Sequence, residues 1–349
     1  MSMRNKKVLV RIDCNVPLKH GKIADDFKIR AHIPTIKGLL RQGAQVFLIT
    51  HLEQNGIVPH LDFLLVYLER ALGTKVGFIR GRVPVSVREY RERVILFDNI
   101  RLNPGEKKND KNLARRIAAW GNLYINDAFA ESHRPYASII SIPKLLPSFL
   151  GPVIKNEMRM LSKLFHPPHP FLAIIGGNKF ATKEPFIKKF LQRADGVFIG
   201  GALANTFLSQ RGIAVGKSRT EKVSIPKSIL EHPKIILPVD GIKRGGAIYD
   251  IGPETAKILA DLVKNSRCVL WNGTLGVCEK GFVFGTRALA RAIGASRAYS
   301  VVGGGDTAAA IHALKLKKNF DFISTGGGAM LDFLVNGTLP GIDAIKKKQ

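Results

Sequence analysis

The fold class follows from one stretch of sequence, Phe171-Leu-Ala-Ile-Ile-Gly-Gly-Asn-Lys-Phe-Ala-Thr-Lys183. Its five opening residues are apolar, which is typical of a strand covered on both faces. Gly176 and Gly177 allow a tight turn and a close approach of the backbone to a ligand. Lys179 and Lys183 follow at helical i, i+4 spacing, so we expect both ammonium groups on one side of a helix start, where they suit a phosphate in transfer. The alternative is that two exposed lysines are merely solvated.

Four further glycine-rich turns follow apolar strands in the second half of the chain. All but one of these turns are followed at once by an Ala/Leu-rich helical segment. This pattern is typical of a doubly wound parallel sheet whose ligand lies over the carboxyl ends of the strands. A packing turn is the alternative for any single glycine pair. The four turns are Val197-Phe-Ile-Gly-Gly201, Val269-Leu-Trp-Asn-Gly273, Val301-Val-Gly-Gly-Gly-Asp-Thr307 and Phe322-Ile-Ser-Thr-Gly-Gly-Gly328.

Length, composition and cysteine content indicate a globular, cytoplasmic protein of two domains. The chain has 349 residues, of which 45% are hydrophobic, and a chain of this length usually forms two cores. No apolar run approaches eighteen residues, so we expect no membrane span. The first residues lack the features of an export signal. Three cysteines, Cys14, Cys268 and Cys278, lack metal-ligand spacing, so we expect buried thiols in a reducing compartment.

The chain is strongly basic, with 54 Lys+Arg against 27 Asp+Glu and a net charge of +27. A nucleic-acid partner is therefore an open alternative. The excess is spread along the chain, since residues 1–150 carry 25 basic and 13 acidic side chains. Lys346-Lys347-Lys348 is the one basic run, and it reads as a solvated tail. We expect the charge to attract small anionic substrates, with no specific nucleic-acid partner.

The first half of the chain alternates between predicted strands and helices. Pro143, Pro147 and Gly151-Pro152 mark a domain edge. An amphipathic helix over 156–165 follows and is the candidate connector. Asp25-Asp26 and Pro34 are expected to precede and open the first helix. The predicted strands cover 8–12, 45–50, 94–97 and 123–125, and the predicted helices cover 33–42, 61–72 and 113–120.

Polar side chains, rather than glycine turns, follow the strands of this first half. They offer hydrogen bonds to hydroxyl groups and two guanidinium groups for an anion. Capping and turn chemistry is the alternative, and we expect it to explain Asn126 and Asp127. We expect Arg101 and Arg134 to contact a ligand at the carboxyl edge of the sheet. The full set is Asp13, Asn15, His51, Asn99, Arg101, Asn126, Asp127, His133 and Arg134.

Taken together and in order, these motifs resemble the phosphoglycerate kinase family. The resemblance runs from Val8 to Leu339, and its length makes it specific. The matching runs are Val10-Arg-Ile-Asp-Cys-Asn-Val-Pro17, Asp25-Asp-Phe-Lys-Ile-Arg-Ala-His-Ile-Pro-Thr35, Asn126-Asp-Ala-Phe129 with His133-Arg134, Gly176-Gly-Asn-Lys-Phe-Ala-Thr-Lys183, Ala204-Asn-Thr-Phe207, Trp271-Asn-Gly273, Gly303-Gly-Gly-Asp-Thr307 and Ser324-Thr-Gly-Gly-Gly-Ala329.

The resemblance implies two Rossmann-like, doubly wound parallel-sheet domains joined by a hinge helix. Residues 1–152 would bind 3-phosphoglycerate or 1,3-bisphosphoglycerate, and residues 153–334 would bind ADP or ATP with Mg²⁺. The tail, 335–349, would pack back on the first domain. The implied reaction is reversible phosphoryl transfer from the acyl phosphate to ADP, with no covalent intermediate, in a monomeric cytoplasmic enzyme.

The resemblance also implies roles for individual residues. In the first domain, Asp13, Asn15, Lys28, His51, Arg101 and Arg134 would bind the phosphoglycerate. Lys28, Lys179 and Lys183 would be catalytic, with the helix starts at Gly305 and Gly328 adding positive potential. Asp306 would reach the Mg²⁺. The nucleotide would contact Gly176, Gly177, Lys179, Lys183, Gly200, Gly201, Asn272, Glu279, Gly303, Gly304, Gly305, Asp306 and Thr307.

The chain departs from the family pattern at several positions. Lys28 stands where the family has arginine, and Glu53-Gln54-Asn55 replaces Gly-Arg-Pro. Residues 239–250 form a shortened segment, and Thr274 replaces proline. A second interpretation is therefore a degenerate family member that binds nucleotide or nucleic acid without efficient turnover. The intact lysines and arginines of the implied site favour an active kinase.

Overall fold

The computed structural model describes residues 3–19 and 21–346, and it divides into two compact units. The N-terminal unit consists of two segments of the chain, the first ending at Arg159 and the second beginning at Asn336. The C-terminal unit is the segment between them, Met160–Val335. The domain boundary predicted from the sequence is 152/153. Lys347 and Lys348 of the predicted basic tail lie outside the described residues.

The N-terminal unit is built on a six-stranded sheet in the order β5-β6-β4-β1-β7-β8. Every neighbouring pair in this sheet is parallel. Its elements are β1 (Lys7–Arg11), β2 (Leu18–Lys19), β3 (Lys22–Ile23), α1 (Phe27–Arg41), β4 (Gln45–Ile49), α2 (Leu64–Leu72), β5 (Val76–Ile79), β6 (Val94–Phe97), α3 (Lys111–Ala118), β7 (Leu123–Asn126), β8 (Ser148–Leu150) and α4 (Pro152–Leu161).

Apolar side chains cover both faces of this sheet, as the continuous apolar strands predict. Val8 and Val10 of β1 belong to one core, together with Ile36 of α1. Leu9 points to the opposite core, which contains Ile117 of α3. Alternate residues of one strand thus bury themselves under different helices, which is the doubly wound arrangement.

The C-terminal unit is built on a second parallel six-stranded sheet, in the order β11-β10-β9-β14-β15-β16. Strands β12 and β13 of the same unit form a separate, two-stranded antiparallel sheet. Its elements are β9 (Phe171–Ile175), α5 (Glu184–Arg193), β10 (Gly196–Ile199), α6 (Gly201–Gln210), α7 (Lys227–Leu230), β11 (Ile235–Ile236), β12 (Gly241–Arg244), β13 (Ala247–Ile251), α8 (Pro253–Lys264), β14 (Cys268–Asn272), α9 (Phe284–Ala295), β15 (Tyr299–Gly303), α10 (Gly305–Ala313), β16 (Phe322–Ile323) and α11 (Gly327–Asn336), and α12 (Pro340–Lys346) then returns to the N-terminal unit.

Both sheets contain a point at which the chain reverses its direction of winding. In the first sheet the chain goes from β1 to β4 on one side and later to β7 on the other. In the second sheet it goes from β9 to β10 and later to β14 on the opposite side. Ligands of doubly wound sheets bind beyond the strand ends at such points. The predicted fold class is therefore confirmed.

The predicted starts of α1, α5 and the connector helix α4 are wrong, and α4 begins at Pro152 rather than at residue 156. Helix α1 begins at Phe27, where the Asp25 carboxylate accepts the backbone N–H at 2.8 Å, and Pro34 lies inside the helix rather than at its start. Helix α5 begins at Glu184, so Lys179 and Lys183 precede it instead of sharing a helical face. Pro185 in the first turn favours this later start, because proline is best tolerated in the first turn of a helix. None of the described helices has both the length and the apolar character of a membrane span.

Candidate active site

The polar residues predicted in the first half of the chain lie beyond four neighbouring strand ends. Asp13 follows β1, His51 follows β4, Arg101 follows β6 and Arg134 follows β7. These strands are adjacent in the order β6-β4-β1-β7 and run parallel. Parallel strands place their carboxyl ends at the same edge of a sheet, so the topology brings these four side chains to one edge.

Asp13 is a buried carboxylate held by two groups. Its Oδ2 atom lies 2.9 Å from the Lys28 Nζ, and its Oδ1 atom accepts the Asn15 backbone N–H at 2.8 Å. Burial alone would raise the pKa of Asp13, but the positive charge of Lys28, together with the other charge interactions and hydrogen bonds of this carboxylate, outweighs burial and holds the pKa below its ordinary value. Asp13 is therefore ionised, and Lys28 pairs with it.

A buried histidine that the sequence analysis did not single out fixes the backbone of Asp13. The Asp13 N–H donates to His32 Nε2 at 3.0 Å. His32 Nδ1 therefore carries the ring proton and donates it to Asp127 Oδ2 at 2.9 Å. Asp127 also accepts the Val153 N–H at 2.8 Å. Asp127 thus has the structural role expected of it, and His32 positions a predicted ligand residue.

His51 is a neutral hydrogen-bond donor at the same edge. Arg11, which is buried, places Nη2 3.2 Å from His51 Nδ1. A guanidinium only donates, so Nδ1 accepts and the ring proton sits on Nε2. Burial, and then the charge of Arg11, lower the pKa of His51 well below its ordinary value. Nε2 is buried with no hydrogen-bond partner among the described residues, although the Glu131 carboxylate is 3.4 Å away.

Arg101 and Arg134 differ in their surroundings. The Arg101 guanidinium donates to Glu53 Oε2 at 2.6 Å and to Glu131 Oε2 at 3.0 Å, and it lies over the Tyr136 ring. Arg134 is exposed, and its guanidinium has no carboxylate partner within the described ranges. The sequence analysis did not identify Glu131, because its contact with Arg101 joins residues from different strand ends.

Two other polar residues of this edge are used for structure. Asn99 donates from Nδ2 to the carbonyls of Leu52 and Pro59, at 2.6 and 2.9 Å. The Gln54 side-chain oxygen accepts the Leu18 N–H at 3.3 Å. The Asn15 Oδ1 atom accepts the Glu53 N–H at 3.1 Å, and its side-chain NH₂ has no hydrogen-bond partner among the residues that the structure describes.

In the C-terminal unit the glycine turns pack backbone against backbone at the winding reversal. The Gly176 N–H donates to the Asn272 carbonyl at 2.7 Å, which joins the ends of β9 and β14. A Cβ atom on Gly176 would lie 2.3 Å from the Thr274 carbonyl oxygen. Gly201 has φ +66°, and a Cβ there would lie 2.8 Å from the Gly177 carbonyl oxygen. These glycines are therefore required by packing between turns.

We expect Gly176→Ala to destabilise the C-terminal unit. The added methyl group meets backbone atoms that cannot move without disturbing two strand ends, and such overpacking costs about 1–3 kcal/mol. Scanning calorimetry measures the change in melting temperature. Gly38→Ala in α1 is the matched control, because its Cβ would have no heavy atom within 4 Å. Equal melting temperatures for Gly176→Ala and the native chain would contradict the packing role.

Lys183 lies at this same point of the C-terminal unit. Its Nζ atom donates to Asn272 Oδ1 at 2.5 Å, and burial lowers its pKa to about 8. Lys179 is exposed, without a side-chain partner in the part of the chain that the structure describes. The two lysines and Asn272 thus come from the turn after β9 and the end of β14.

A cleft of about 980 Å³ opens beside these turns. Of the residues predicted to bind nucleotide, Gly177, Gly201, Glu279 and Asp306 line it. Its remaining lining includes apolar side chains from β13 and from the segment after β14, which suit a base. The other predicted residues lie outside this lining: Gly176, Lys179, Lys183, Gly200, Asn272, Gly303, Gly304, Gly305 and Thr307, together with the predicted helix-start residue Gly328.

Helix α10 directs its N-terminal end to the turn after β15. Gly304 precedes the helix with φ +106°, and Gly305 is its first residue. Thr307 is buried, and its hydroxyl accepts the Gly273 N–H at 3.0 Å. Asp306 is exposed beside it. The first backbone N–H groups of such a helix can bind an anion.

Known proteins match this chain over its whole length. The family model described as phosphoglycerate kinase matches residues 1–337. The phosphoglycerate kinases of Moorella thermoacetica and Pseudothermotoga lettingae are each 37% identical to it, with 100% of this chain and 98% of each relative covered.

Solved structures agree with this match. The phosphoglycerate kinase structure from Coxiella burnetii has a TM-score of 0.81 at 33% identity and covers 100% of this chain and 98% of its own. The one from Pyrococcus horikoshii has a TM-score of 0.87 at 27% identity and covers 99% and 97%. With the fold, the motifs and the full-length match in agreement, this chain belongs to the phosphoglycerate kinase family.

Proposed function

We propose that the chain transfers a phosphoryl group reversibly from 1,3-bisphosphoglycerate to ADP, giving 3-phosphoglycerate and ATP. The observation that carries this proposal is the family match over residues 1–337. The bond from the acyl oxygen to phosphorus breaks, and a bond from the ADP β-phosphate oxygen to the same phosphorus forms. We also propose that the enzyme is cytoplasmic and monomeric, on the basis of the family resemblance.

In the N-terminal unit we assign phosphoglycerate binding to the strand-end residues. Arg134 supplies an exposed guanidinium, and guanidinium groups bind carboxylates and phosphates through two parallel hydrogen bonds. His51 supplies a neutral N–H donor, and Asn15 supplies its side-chain NH₂. Asp13 is an ionised acceptor for a substrate hydroxyl, held in place by His32 and Lys28.

In the C-terminal unit we assign charge neutralisation to Lys183 and Lys179. The transferred group carries negative charge on its equatorial oxygens, so fixed cations stabilise it during transfer. Lys183 is oriented by its hydrogen bond to Asn272. Glu279, which lines the cleft, is assigned to the ribose, and the glycine turns with the start of α10 are assigned to the phosphates.

Asp306 fits a nucleotide-bound Mg²⁺. Mg²⁺ usually binds one or two protein carboxylates, substrate phosphates and several waters. Asp306 is exposed, lines the cleft, and has no ion-pair partner among residues 3–19 and 21–346. The described residues contain no cluster of three or more metal-ligating side chains. A single carboxylate therefore suits Mg²⁺ brought with the nucleotide, where the ion would neutralise phosphate charge.

We expect Asp306→Ala to weaken binding of Mg-ADP about tenfold or more, since a hydrogen bond or ion contact to a charged group contributes about 1.5–3 kcal/mol. Binding of 3-phosphoglycerate should change little, because Asp306 belongs to the C-terminal unit. Calorimetric titration of each ligand measures both effects. Asp261→Ala on α8 is the control, as an exposed aspartate away from the cleft. Equal losses for both ligands would contradict the assignment.

A coupled assay tests the reaction itself. Phosphorylation of 3-phosphoglycerate by Mg-ATP is followed through reduction of the acyl phosphate product by an excess of dehydrogenase and NADH. We expect NADH oxidation that requires both substrates. Oxidation that proceeds equally without 3-phosphoglycerate would indicate simple ATP hydrolysis and would contradict the proposal.

A further inference from the structure

Two protein carboxylates form ion pairs with the guanidinium of Arg101. Nη1 lies 2.6 Å from Glu53 Oε2, and Nη2 lies 3.0 Å from Glu131 Oε2. Both terminal nitrogens therefore donate to the protein. A guanidinium binds an anion most strongly when two of its nitrogens donate to that anion together. An anionic substrate must displace at least one of these carboxylates to be bound by Arg101 in this way.

Glu53 has a second cationic partner on its outer side. The Lys107 Nζ lies 3.0 Å from Glu53 Oε1 and 2.8 Å from Oε2. Lys107 is half exposed, whereas the Arg101 side chain is 10% exposed. The Lys107 hydrogen bond and, against the effect of burial, the Arg101 hydrogen bond lower the pKa of Glu53, so its carboxylate is ionised. Glu53 can thus leave Arg101 while remaining paired with Lys107.

Glu131 is a less mobile partner of Arg101. Its side chain is 10% exposed, against 22% for Glu53, and it lies 3.4 Å from the His51 ring. Burial, and then the charge of Asp13, raise the pKa of Glu131 above its ordinary value. Moving Glu131 into solvent requires rearrangement of a buried cluster. Moving Glu53 requires only a side-chain rotation toward Lys107.

We propose that Glu53 sets the affinity of the N-terminal unit for phosphoglycerate by competing with it for Arg101, and that Lys107 favours binding by drawing Glu53 away. This inference rests on the proposed function, in that the competing anion is the carboxylate or phosphate of phosphoglycerate. Glu53 thus affects substrate binding through its ion pair with Arg101. Its backbone N–H is already tied to Asn15, another residue assigned to the substrate.

Opposite effects of two substitutions follow. Glu53→Gln keeps the size of the side chain and removes the competing charge, so the dissociation constant for 3-phosphoglycerate should fall about three- to tenfold, as for a partly exposed ion pair. Lys107→Ala leaves Arg101 as the only cation paired with Glu53, so the dissociation constant should rise about two- to fivefold. In the Glu53→Gln background, Lys107→Ala should have little further effect.

Titration calorimetry with 3-phosphoglycerate on the full chain measures these constants for the two single variants and the double variant. Glu89→Gln is the matched control, since Glu89 is an exposed glutamate paired with Lys7 in the same unit. If the affinity depended only on the number of negative charges on the surface, Glu89→Gln and Glu53→Gln would change the dissociation constant by similar factors. Simple electrostatics also predicts opposite signs for Glu53→Gln and Lys107→Ala, because one removes a negative and the other a positive charge. Loss of the Lys107 effect in the double variant is the result that only competition predicts.

An unchanged or weaker affinity in Glu53→Gln, with a native chain that binds and phosphorylates 3-phosphoglycerate, would overturn this inference and leave the proposed function intact. An equal Lys107→Ala effect with and without Glu53 would also overturn it. If the folded native chain neither binds nor phosphorylates 3-phosphoglycerate, the proposed function fails, and the inference fails with it.

Discussion

Lys183→Ala should lower kcat about 10²–10³-fold, with a much smaller change in KM for either substrate, as is usual when one preorganised charge is removed from the transition state. Lys183 is oriented by Asn272 at the winding reversal of the second sheet. We expect its charge to matter most while the phosphoryl group is between donor and acceptor. Steady-state kinetics with each substrate varied in turn separates kcat from KM.

Lys264→Ala provides the control for Lys183→Ala. Lys264 is exposed at the C-terminal end of α8, so its loss removes one positive charge without touching the glycine turns. We expect native kinetics for this variant. Near-native kcat in Lys183→Ala would exclude Lys183 from phosphoryl transfer.

The pH dependence of the native chain gives a second readout for Lys183. Burial lowers its pKa to about 8, so the free enzyme loses this ammonium charge as pH rises through that value. We expect kcat/KM to fall above about pH 8 for this reason. Lys183→Arg, which stays charged, should not show this fall in whatever activity it retains.

Arg134→Ala should raise the KM for 3-phosphoglycerate more than tenfold, because a hydrogen bond to a charged group contributes about 1.5–3 kcal/mol. We expect Arg134 to carry much of the N-terminal unit's attraction for the acid, since Arg101 is paired with Glu53 and Glu131. Gln54 also stands where the family pattern has arginine. The KM for ATP should change little, because nucleotide binding is assigned to the C-terminal unit.

Two further variants serve as a comparison and a control for Arg134→Ala. Arg134→Lys should recover only part of the affinity, because an ammonium cannot form two parallel hydrogen bonds with one anion. Arg88→Ala removes another exposed arginine of the same unit and should leave KM unchanged. If Arg134→Ala kept the native KM for 3-phosphoglycerate, Arg134 would have no role in substrate binding.

The fold class could be predicted because its signals are local in the sequence. Runs such as Phe171-Leu-Ala-Ile-Ile175 are apolar throughout, and the glycine turns follow them directly. Such strands require cover on both faces, and the alternation with helices requires a parallel sheet. The edge strands β5 and β8 were missed, because β5 contains Gly77 and is only partly buried, and β8 has only three residues.

The helix starts were less predictable, because spacing alone does not specify a helix. Lys179 and Lys183 have the i, i+4 spacing of one helical face, yet the Lys183 and Glu184 N–H groups both donate to the Phe180 carbonyl in a turn. Lys183 still donates to Asn272, because the sheet places the turn after β9 beside the end of β14. Helical geometry has no part in this contact.

The pairing of charges at the site could not be predicted from the sequence. Arg101 contacts Glu53 and Glu131, which are 48 and 30 residues away, and only the strand order brings them together. His32 and Arg11 were also not identified, since buried polar residues behind a site carry no local pattern. Family membership, by contrast, was indicated by the ordered motifs, and the comparisons confirmed it.

Formation of ATP from ADP and 1,3-bisphosphoglycerate by the purified chain tests the assigned reaction most directly. The native chain and Lys183→Ala are assayed side by side with Mg²⁺, and ATP is measured by luminescence. We expect ATP formation that depends on both substrates and falls about 10²–10³-fold in the variant. A folded native chain that binds Mg-ADP and 3-phosphoglycerate, yet forms no ATP above the uncatalysed background, would contradict the assignment.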